Sequence, residues 1–186
     1  MPVIGGYQCR VSVSDGLVAG IVFTPLPGSR LWTRYRNSRD AVSELRAIAG
    51  AAAAHNLLEL SRDAAESLAD RVRELKLFDP TLGVIAGTAY AAVGLRDRVA
   101  SVLEYSRRDL GFDLFDLWLF AGARRSDLPL FPACPLTTAG WSYLDIVGAE
   151  VPMPLRRAGR LGGFWTTFAA GEMEQVAGLL QEGNIE

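Results

Sequence analysis

The segment PTLGVIAGTAYAAVGLRDRVASVLEYSRRDL, residues 80–110, decides the fold of this chain. Its opening proline separates it from the helix before, because proline disfavours helical backbone in the preceding residue. A helix is expected over residues 81–93, where Gly94 stops it. A second helix is expected over residues 96–109, and Gly111 ends it. The segment therefore predicts a helix-turn-helix hairpin.

Further helices are predicted on both sides of this hairpin. The clearest covers residues 56–77, where an apolar stripe recurs at steps of three and four and charged residues occupy the other side. The stripe consists of Leu57, Leu60, Ala64, Leu68, Val72 and Leu75. The remaining helices are expected at residues 38–54, 112–121, 138–147 and 170–181. Prolines and glycines break residues 124–136 and 149–163, which are expected to be turns and loops.

The first 35 residues are predicted to form strands. Residues 7–13 alternate between apolar and polar side chains, which is typical of a half-buried strand. Turn residues follow, then a β-rich run at residues 17–24, so a hairpin is expected. A third short strand is predicted at residues 30–35. Because a lone hairpin is marginal in water, these strands must pack on the helices or on a sheet outside this chain.

The predicted fold is thus mainly α with a minor β part. Residues 1–36 form the N-terminal hairpin element, and residues 37–186 form a compact array of about seven helices that includes the central helix pair.

Composition excludes several function classes. The net charge is −2, from 19 basic and 21 acidic residues, so the chain as a whole does not attract nucleic acid or an anionic membrane. The start of the chain does not have the pattern of a signal peptide, and the longest apolar run is too short for a bilayer. Cys9 and Cys134 form no CxxC pair, which argues against zinc. We therefore expect a cytoplasmic protein with free thiols, and no metal or cofactor.

The hairpin resembles a tetratricopeptide repeat. The resemblance rests on small, aromatic and apolar residues at the spacing of that family, namely Gly87, Tyr90, Gly94, Val99, Leu103 and Ser106. In this interpretation Gly87 lets the two helices approach closely, Tyr90 fills the space beside it, and Leu103 packs back into the pair. Gly83 departs from the family, because a large aromatic residue is usual there.

The tetratricopeptide resemblance implies peptide binding through the inner face of the first helix. That face is expected to consist of Thr81, Val84, Thr88, Ala91 and Ala92. These residues are small and uncharged, so a clamp for a peptide carboxylate is not expected. The alternative is that the first helix is simply buried in the core.

A second resemblance is looser. The segments DPTLG at 79–83, GWSYL at 140–144 and FWTTF at 164–168 are similar to C-terminal helical regions of some large bacterial proteins. Some of those proteins also carry caspase-like protease domains. The resemblance implies an accessory region and not the protease itself.

Few residues suggest catalysis. His55 is the single histidine, so a thiol-dependent hydrolase would pair it with Cys134. The simpler interpretation makes His55 a capping or surface residue and Cys134 a small apolar residue buried in a turn. Asp113 and Asp116 are interpreted as acids in the first turn of a helix, where the helix dipole favours them. Nucleotide-binding glycine motifs are absent.

The C-terminal third carries the residues that we expect to bind a partner. Arg156, Arg157 and Arg160 lie in a predicted loop near Trp165, and tryptophan is enriched at interaction hot spots. Trp141 and Trp165 are either core residues or part of a docking surface. The predicted function is a non-enzymatic protein-interaction or accessory domain. The alternatives are the hydrolase with Cys134 and His55, and weak nucleic-acid or phosphate binding through the three arginines.

Overall fold

Helices make up most of the computed structural model, which describes residues 4–54, 62–123 and 126–182. The helices of this part are α1 (Trp32–Asn37), α2 (Arg39–Ala54), α3 (Arg62–Arg73), α4 (Pro80–Ala92), α5 (Arg96–Leu110), α6 (Phe115–Phe120), α7 (Thr138–Val147), α8 (Met153–Ala158) and α9 (Met173–Glu182), with a 3₁₀ turn at Ala170–Glu172. The strands are β1 (Tyr7–Ser14), β2 (Leu17–Pro25), β3 (Asp113–Leu114), β4 (Leu130–Phe131), β5 (Gly159–Arg160) and β6 (Thr167–Phe168). The predicted class, mainly α with an N-terminal β-hairpin, is confirmed.

In the described part of the chain, three separate two-stranded sheets accompany the helices. β1 and β2 form the antiparallel N-terminal hairpin, β3 and β4 pair in parallel, and β5 and β6 pair antiparallel. Among the residues described, none of the helices is both long and apolar enough to cross a membrane.

Helix α4 lies at the centre of the molecule. Every residue from Pro80 to Tyr90 is buried, and α3, α5 and α6 pack around it. The predicted helix-turn-helix hairpin is therefore present as α4 and α5, joined through Gly94 with a φ of 74°. Of the expected inner face, Thr81, Val84 and Thr88 are buried, as in the interpretation that made this helix part of the core.

Gly87 has a different neighbour from the one expected. A Cβ at this position would lie 2.2 Å from Leu117 Cδ2 on α6, but 3.9 Å from Val99 Cγ1 on α5. The prediction that Gly87 serves the approach of the two hairpin helices was wrong in its partner. The missing side chain makes room for α6, which crosses α4 at this point.

The prediction of a third strand at residues 30–35 was also wrong, because the helix α1 begins at Trp32. Trp32 and Tyr35 are three residues apart, so a helix places them on one side whereas a strand would separate them. Their ring centroids lie 5.8 Å apart, and Tyr35 packs against Phe78 at 6.1 Å. Packing of the buried Tyr35 and the half-buried Trp32 on one side favours the helix.

Several predicted boundaries shift. The helix expected at residues 112–121 begins only at Phe115, because the two residues before it pair with β4. The segment 149–163, expected to be broken, contains α8 and β5. Helix α3 lies inside the helix predicted at residues 56–77, whose first part falls outside the described residues.

A buried ion pair fastens the hairpin to the helices. Asp79 caps α4 by accepting from the Thr81 backbone N–H, at 3.1 Å, and from its hydroxyl, at 2.6 Å. The same carboxylate accepts from Phe23 N of β2, at 3.2 Å, and from Arg46 Nε of α2, at 2.7 Å. Arg46 also donates to the Phe23 carbonyl at 2.5 Å. One buried aspartate thus joins β2, α2 and α4.

Candidate apolar cleft

The hairpin turns one apolar face toward the body of the protein. In the register of the two strands, Cys9 lies opposite Phe23, Val11 opposite Ile21 and Val13 opposite Val18, which places these six side chains on the same face. The other face of β1 is polar and exposed, as the alternation of the sequence predicts.

Under this face lies a cleft of about 350 Å³. Three parts of the chain enclose it: the hairpin, the loop at residues 131–136, and the segment formed by β6 and α9. Its lining residues are Cys9, Val11, Val13, Gly16, Val18, Ile21, Phe23, Phe131, Pro132, Cys134, Pro135, Leu136, Thr166, Thr167, Phe168, Val176 and Ala177. This volume lies within the range of ligand pockets, and the lining is predominantly apolar.

Asp116 holds the cleft-lining loop at residues 131–136 in place through its end at Leu136. This buried carboxylate accepts from Leu136 N at 2.7 Å, from Thr137 N at 2.9 Å and from Thr137 Oγ1 at 2.5 Å. Thr137 in turn caps α7 by accepting from Gly140 N at 3.2 Å. A Cβ on Gly140 would lie 2.6 Å from Pro135 Cβ and 2.9 Å from Asp116 Oδ1, so this close approach requires glycine. Burial raises the pKa of Asp116 to about 6, against the lowering effect of its hydrogen bonds.

Asp113 and Asp116 were expected to be first-turn acids favoured by the helix dipole, and this account needs correction. Asp113 lies in β3, is fully buried and forms a bidentate pair with Arg107, whose Nε and Nη2 lie 2.7 Å and 2.8 Å from its two oxygens. Ser126 donates to it as well. Asp116 does lie in the first turn of α6, but it is buried and bonded to the 136–137 backbone. Both acids tie distant segments together.

Both cysteines line the cleft, on opposite sides. Cys134 is buried, and burial raises the pKa of its thiol to about 12, with the charge of Asp116 adding to the effect. Burial likewise raises the pKa of the Cys9 thiol to about 11, again with a nearby carboxylate contributing. Because the thiolate is the nucleophilic form, these surroundings suit an apolar wall better than a catalytic thiol. His55, the predicted partner of Cys134, lies outside the described residues.

The two tryptophans named in the sequence contact chain segments that line or adjoin the cleft. Trp165 is buried and forms a β-bridge with Thr137. Trp141 is half-buried, donates from Nε1 to Thr166 Oγ1 at 2.7 Å, and packs over Gly159. Of the alternatives left open by the sequence, burial matches the core for Trp165. Trp141 links α7 to Thr166, the residue before β6.

Two of the three arginines lie on a helix and the third lies in a strand. Arg156 and Arg157 are on α8 and not in a loop as predicted. Arg156 lies 3.4 Å from Asp145 and donates to the Ala149 carbonyl at 3.4 Å. Arg157 is exposed. Arg160 belongs to β5, where its backbone pairs with Thr167.

An exposed apolar rim lies at the hairpin turn, and one of its residues, Val13, also lines the cleft. Val13 is 64% exposed, Leu161 is 56% exposed, and Leu17 is also exposed. Leu17 packs against Gly162 and Gly163, because a Cβ on Gly162 would lie 3.3 Å from Leu17 Cδ2. The sequence did not predict the cleft or its rim, although the alternation of apolar and polar side chains at residues 7–13 did indicate the apolar face that forms one wall. The opposite wall comes from residues more than a hundred positions away, and no local pattern reports that meeting.

Within the described ranges, no group of three or more histidine, cysteine, aspartate or glutamate side chains is placed to hold a metal ion. No family model, curated protein or solved structure matches the chain. The tetratricopeptide resemblance therefore stays a prediction.

Proposed function

We propose that this chain is a non-enzymatic interaction or accessory domain, and that it binds a protein partner through the apolar cleft and its rim. The observation that carries the proposal is an apolar wall of the cleft that continues into exposed surface. Val13 lines the cleft of about 350 Å³ and is itself 64% exposed, and the adjoining hairpin turn carries the exposed side chain of Leu17. Apolar surface that borders a formed pocket is typical of sites where another molecule docks.

The polar groups around the cleft favour binding over chemistry. Thr166 already accepts from Trp141, and both thiols have raised pKa values. Asp116 is engaged by the 136–137 backbone and lies behind the loop. A site of this kind offers apolar contact area, with few polar groups left to orient a reacting substrate.

The proposal moves the expected contact surface away from the C-terminal arginines. Arg156 is paired with Asp145, and the side chain of Trp165 is buried. Binding of nucleic acid or phosphate through the three arginines is the alternative function. The partner is instead expected to present apolar side chains.

A photo-cross-linking experiment tests the proposal. A photoreactive amino acid replaces Val13 at the rim, and in a second variant it replaces Ile146, which is 71% exposed on α7 and outside the cleft lining. Irradiation in the cells that make the protein is expected to join Val13 to one partner and to leave the Ile146 variant without that product. The captured partner is then produced and its affinity is measured directly.

Matched substitutions complete the test. Val13→Asp is expected to weaken binding of the purified partner at least tenfold, because a carboxylate at an apolar contact must be desolvated. Ile146→Asp, equally exposed, is expected to leave the affinity unchanged. Equal cross-linking from both positions, or an unchanged affinity of Val13→Asp, would overturn the proposal.

A further inference from the structure

We infer that the outer edge of β1 is a strand-addition site, where the partner contributes an extended segment that lengthens the hairpin to three strands and places alternate apolar side chains in the cleft. This inference rests on the proposed function and specifies the partner chemistry. It follows from the direction in which the backbone groups of the two strands point.

The hydrogen-bond pattern of the hairpin fixes that direction. Leu26 N donates to the Gly6 carbonyl at 2.8 Å, so residues 6 and 26 are a hydrogen-bonded pair. In an antiparallel ladder such pairs alternate with pairs whose backbone groups point away from each other. With the observed register, Cys9 and Val11 fall in the second class, opposite Phe23 and Ile21. Their N–H and C=O groups therefore point to the outer edge of β1.

Phe23 supports this assignment from the other strand. Its N–H donates to Asp79 and its carbonyl accepts from Arg46, so its backbone groups do point away from β1. The outer edge of β2 is thereby occupied at this position, and Pro25, the next outward residue, has no N–H to offer. The two edges of the hairpin are not equivalent.

The edge of β1 is open by comparison. Its sheet contains β1 and β2 alone, and none of the other strands in the described ranges pairs with it. Strand β1 contains neither proline nor lysine, residues that commonly protect an edge from pairing. The register shift between Ser12 and Val13 ends the regular edge, so an added strand would pair with the part before it.

The pleat links the open edge to the cleft. Cys9 and Val11 carry the outward backbone groups, and the same two residues line the cleft. A strand added at this edge continues the pleat, so its residues opposite Cys9 and Val11 point to the cleft side. Its other residues lie beside Gln8, Arg10 and Ser12, which are exposed and polar. The segment that fits is extended, with apolar residues at every second position.

A displayed library of random ten-residue peptides, selected on the full chain, provides the probe. Selected peptides are expected to alternate apolar and polar residues. A synthetic copy of one peptide is then N-methylated at each residue in turn. Methylation at the alternate residues that face β1 is expected to weaken binding about tenfold each, as expected for loss of one backbone hydrogen bond, and the intervening positions tolerate it.

Hydrogen exchange reads the protein side of the same contact without any substitution. The amides of Cys9 and Val11 are expected to exchange rapidly in the free chain and to become protected when the peptide binds. The amides of Gln8 and Arg10 are expected to be protected in both states, because they bond to β2. As a second readout, Val11→Pro removes the outward N–H and is expected to weaken peptide binding, whereas Ile146→Asp on α7, outside the cleft lining, is expected to leave the affinity unchanged.

Specific outcomes overturn the inference. Peptides that bind without protecting Cys9 and Val11, or whose N-methyl scan shows no alternation, would refute strand addition. A dimer in which these amides are protected without peptide would assign the edge to a second copy instead. Tight binding of a fatty acid with no peptide selected would assign the cleft to a small apolar ligand. If the Val13 cross-link persists in these cases, the proposed function stands and only the strand mode fails.

Discussion

Replacing Asp79 by alanine tests how the hairpin is held on the helices. The substitution removes the acceptor for Phe23 N, for both donors of Thr81 and for Arg46 Nε. Breaking a buried ion pair from one side costs about 3 to 5 kcal/mol. Loss of a helix N-cap, about 1 kcal/mol, is part of the same change and is not added separately. Arg46 keeps the Phe23 carbonyl and is 16% exposed, so its charge is not fully stranded. The expected loss is therefore about 3 kcal/mol.

Urea unfolding followed by circular dichroism measures this loss. With an m-value of about 2 kcal/mol per molar urea, the midpoint is expected to fall by about 1.5 M. Asp145→Ala is the control, because Asp145 is 83% exposed and its pair with Arg156 is worth less than about 1 kcal/mol. In the Arg46→Ala background, Asp79→Ala should cost clearly less than it does alone. A loss below about 1 kcal/mol for Asp79→Ala, or additive effects of the two substitutions, would refute the ion pair as the anchor.

Three further predictions concern buried groups. The folded state holds the Asp116 proton more tightly than the unfolded state, because the pKa of this carboxyl is raised from 3.8 to about 6. The stability of the wild type relative to Asp116→Asn should therefore fall by up to about 3 kcal/mol as the pH rises from 4 to 7. If the urea midpoints of the two proteins change equally with pH, this prediction is wrong. Gly87→Ala should destabilise the protein by about 1 to 2 kcal/mol, because the new Cβ would lie 2.2 Å from Cδ2 of the buried Leu117. Gly50→Ala, with open space around it, should stabilise the protein by up to about 1 kcal/mol. Thermal unfolding of the two variants measures both effects. At pH 7.5 a thiol reagent should modify half-buried Cys9 slowly and buried Cys134 more slowly still, with both fast in denaturant; rapid modification of native Cys134 would revive the thiol-dependent hydrolase.

The sequence predicted those parts of the fold whose causes are local. The pair α4 and α5 was recognised because Pro80, Gly94 and Gly111 mark its ends, and helix α7 has the bounds predicted for it. The hairpin was recognised because residues 7–13 alternate. The prediction of a strand at residues 30–35 failed because Tyr35 is buried against Phe78, a residue more than forty positions away, and Trp32 packs against Tyr35. Aromatic residues favour strands by propensity, and here tertiary packing overrides that preference.

The candidate site was largely beyond sequence reasoning. Asp79, Asp113 and Asp116 look like ordinary acids near helix starts, and nothing local reveals that each is buried with partners up to 56 residues away. Trp141 and Trp165 drew attention as possible contact residues because of their type. Their surroundings depend on where β6 and the 131–136 loop meet, and a single sequence does not encode that as a readable pattern.

The fastening of the hairpin is uneven along its length. At the open end of the strands, Phe23 is held by Asp79, and the Tyr7 hydroxyl donates to the Leu77 carbonyl at 2.7 Å. At the turn end, Leu17 rests on the glycine pair Gly162 and Gly163, which present no side chains to grip it. The hairpin is thus held by hydrogen bonds at its open end and by apolar contact with glycines at its turn end. A displacement of the turn end alone would change the width of the cleft while leaving the hydrogen bonds of Asp79 in place.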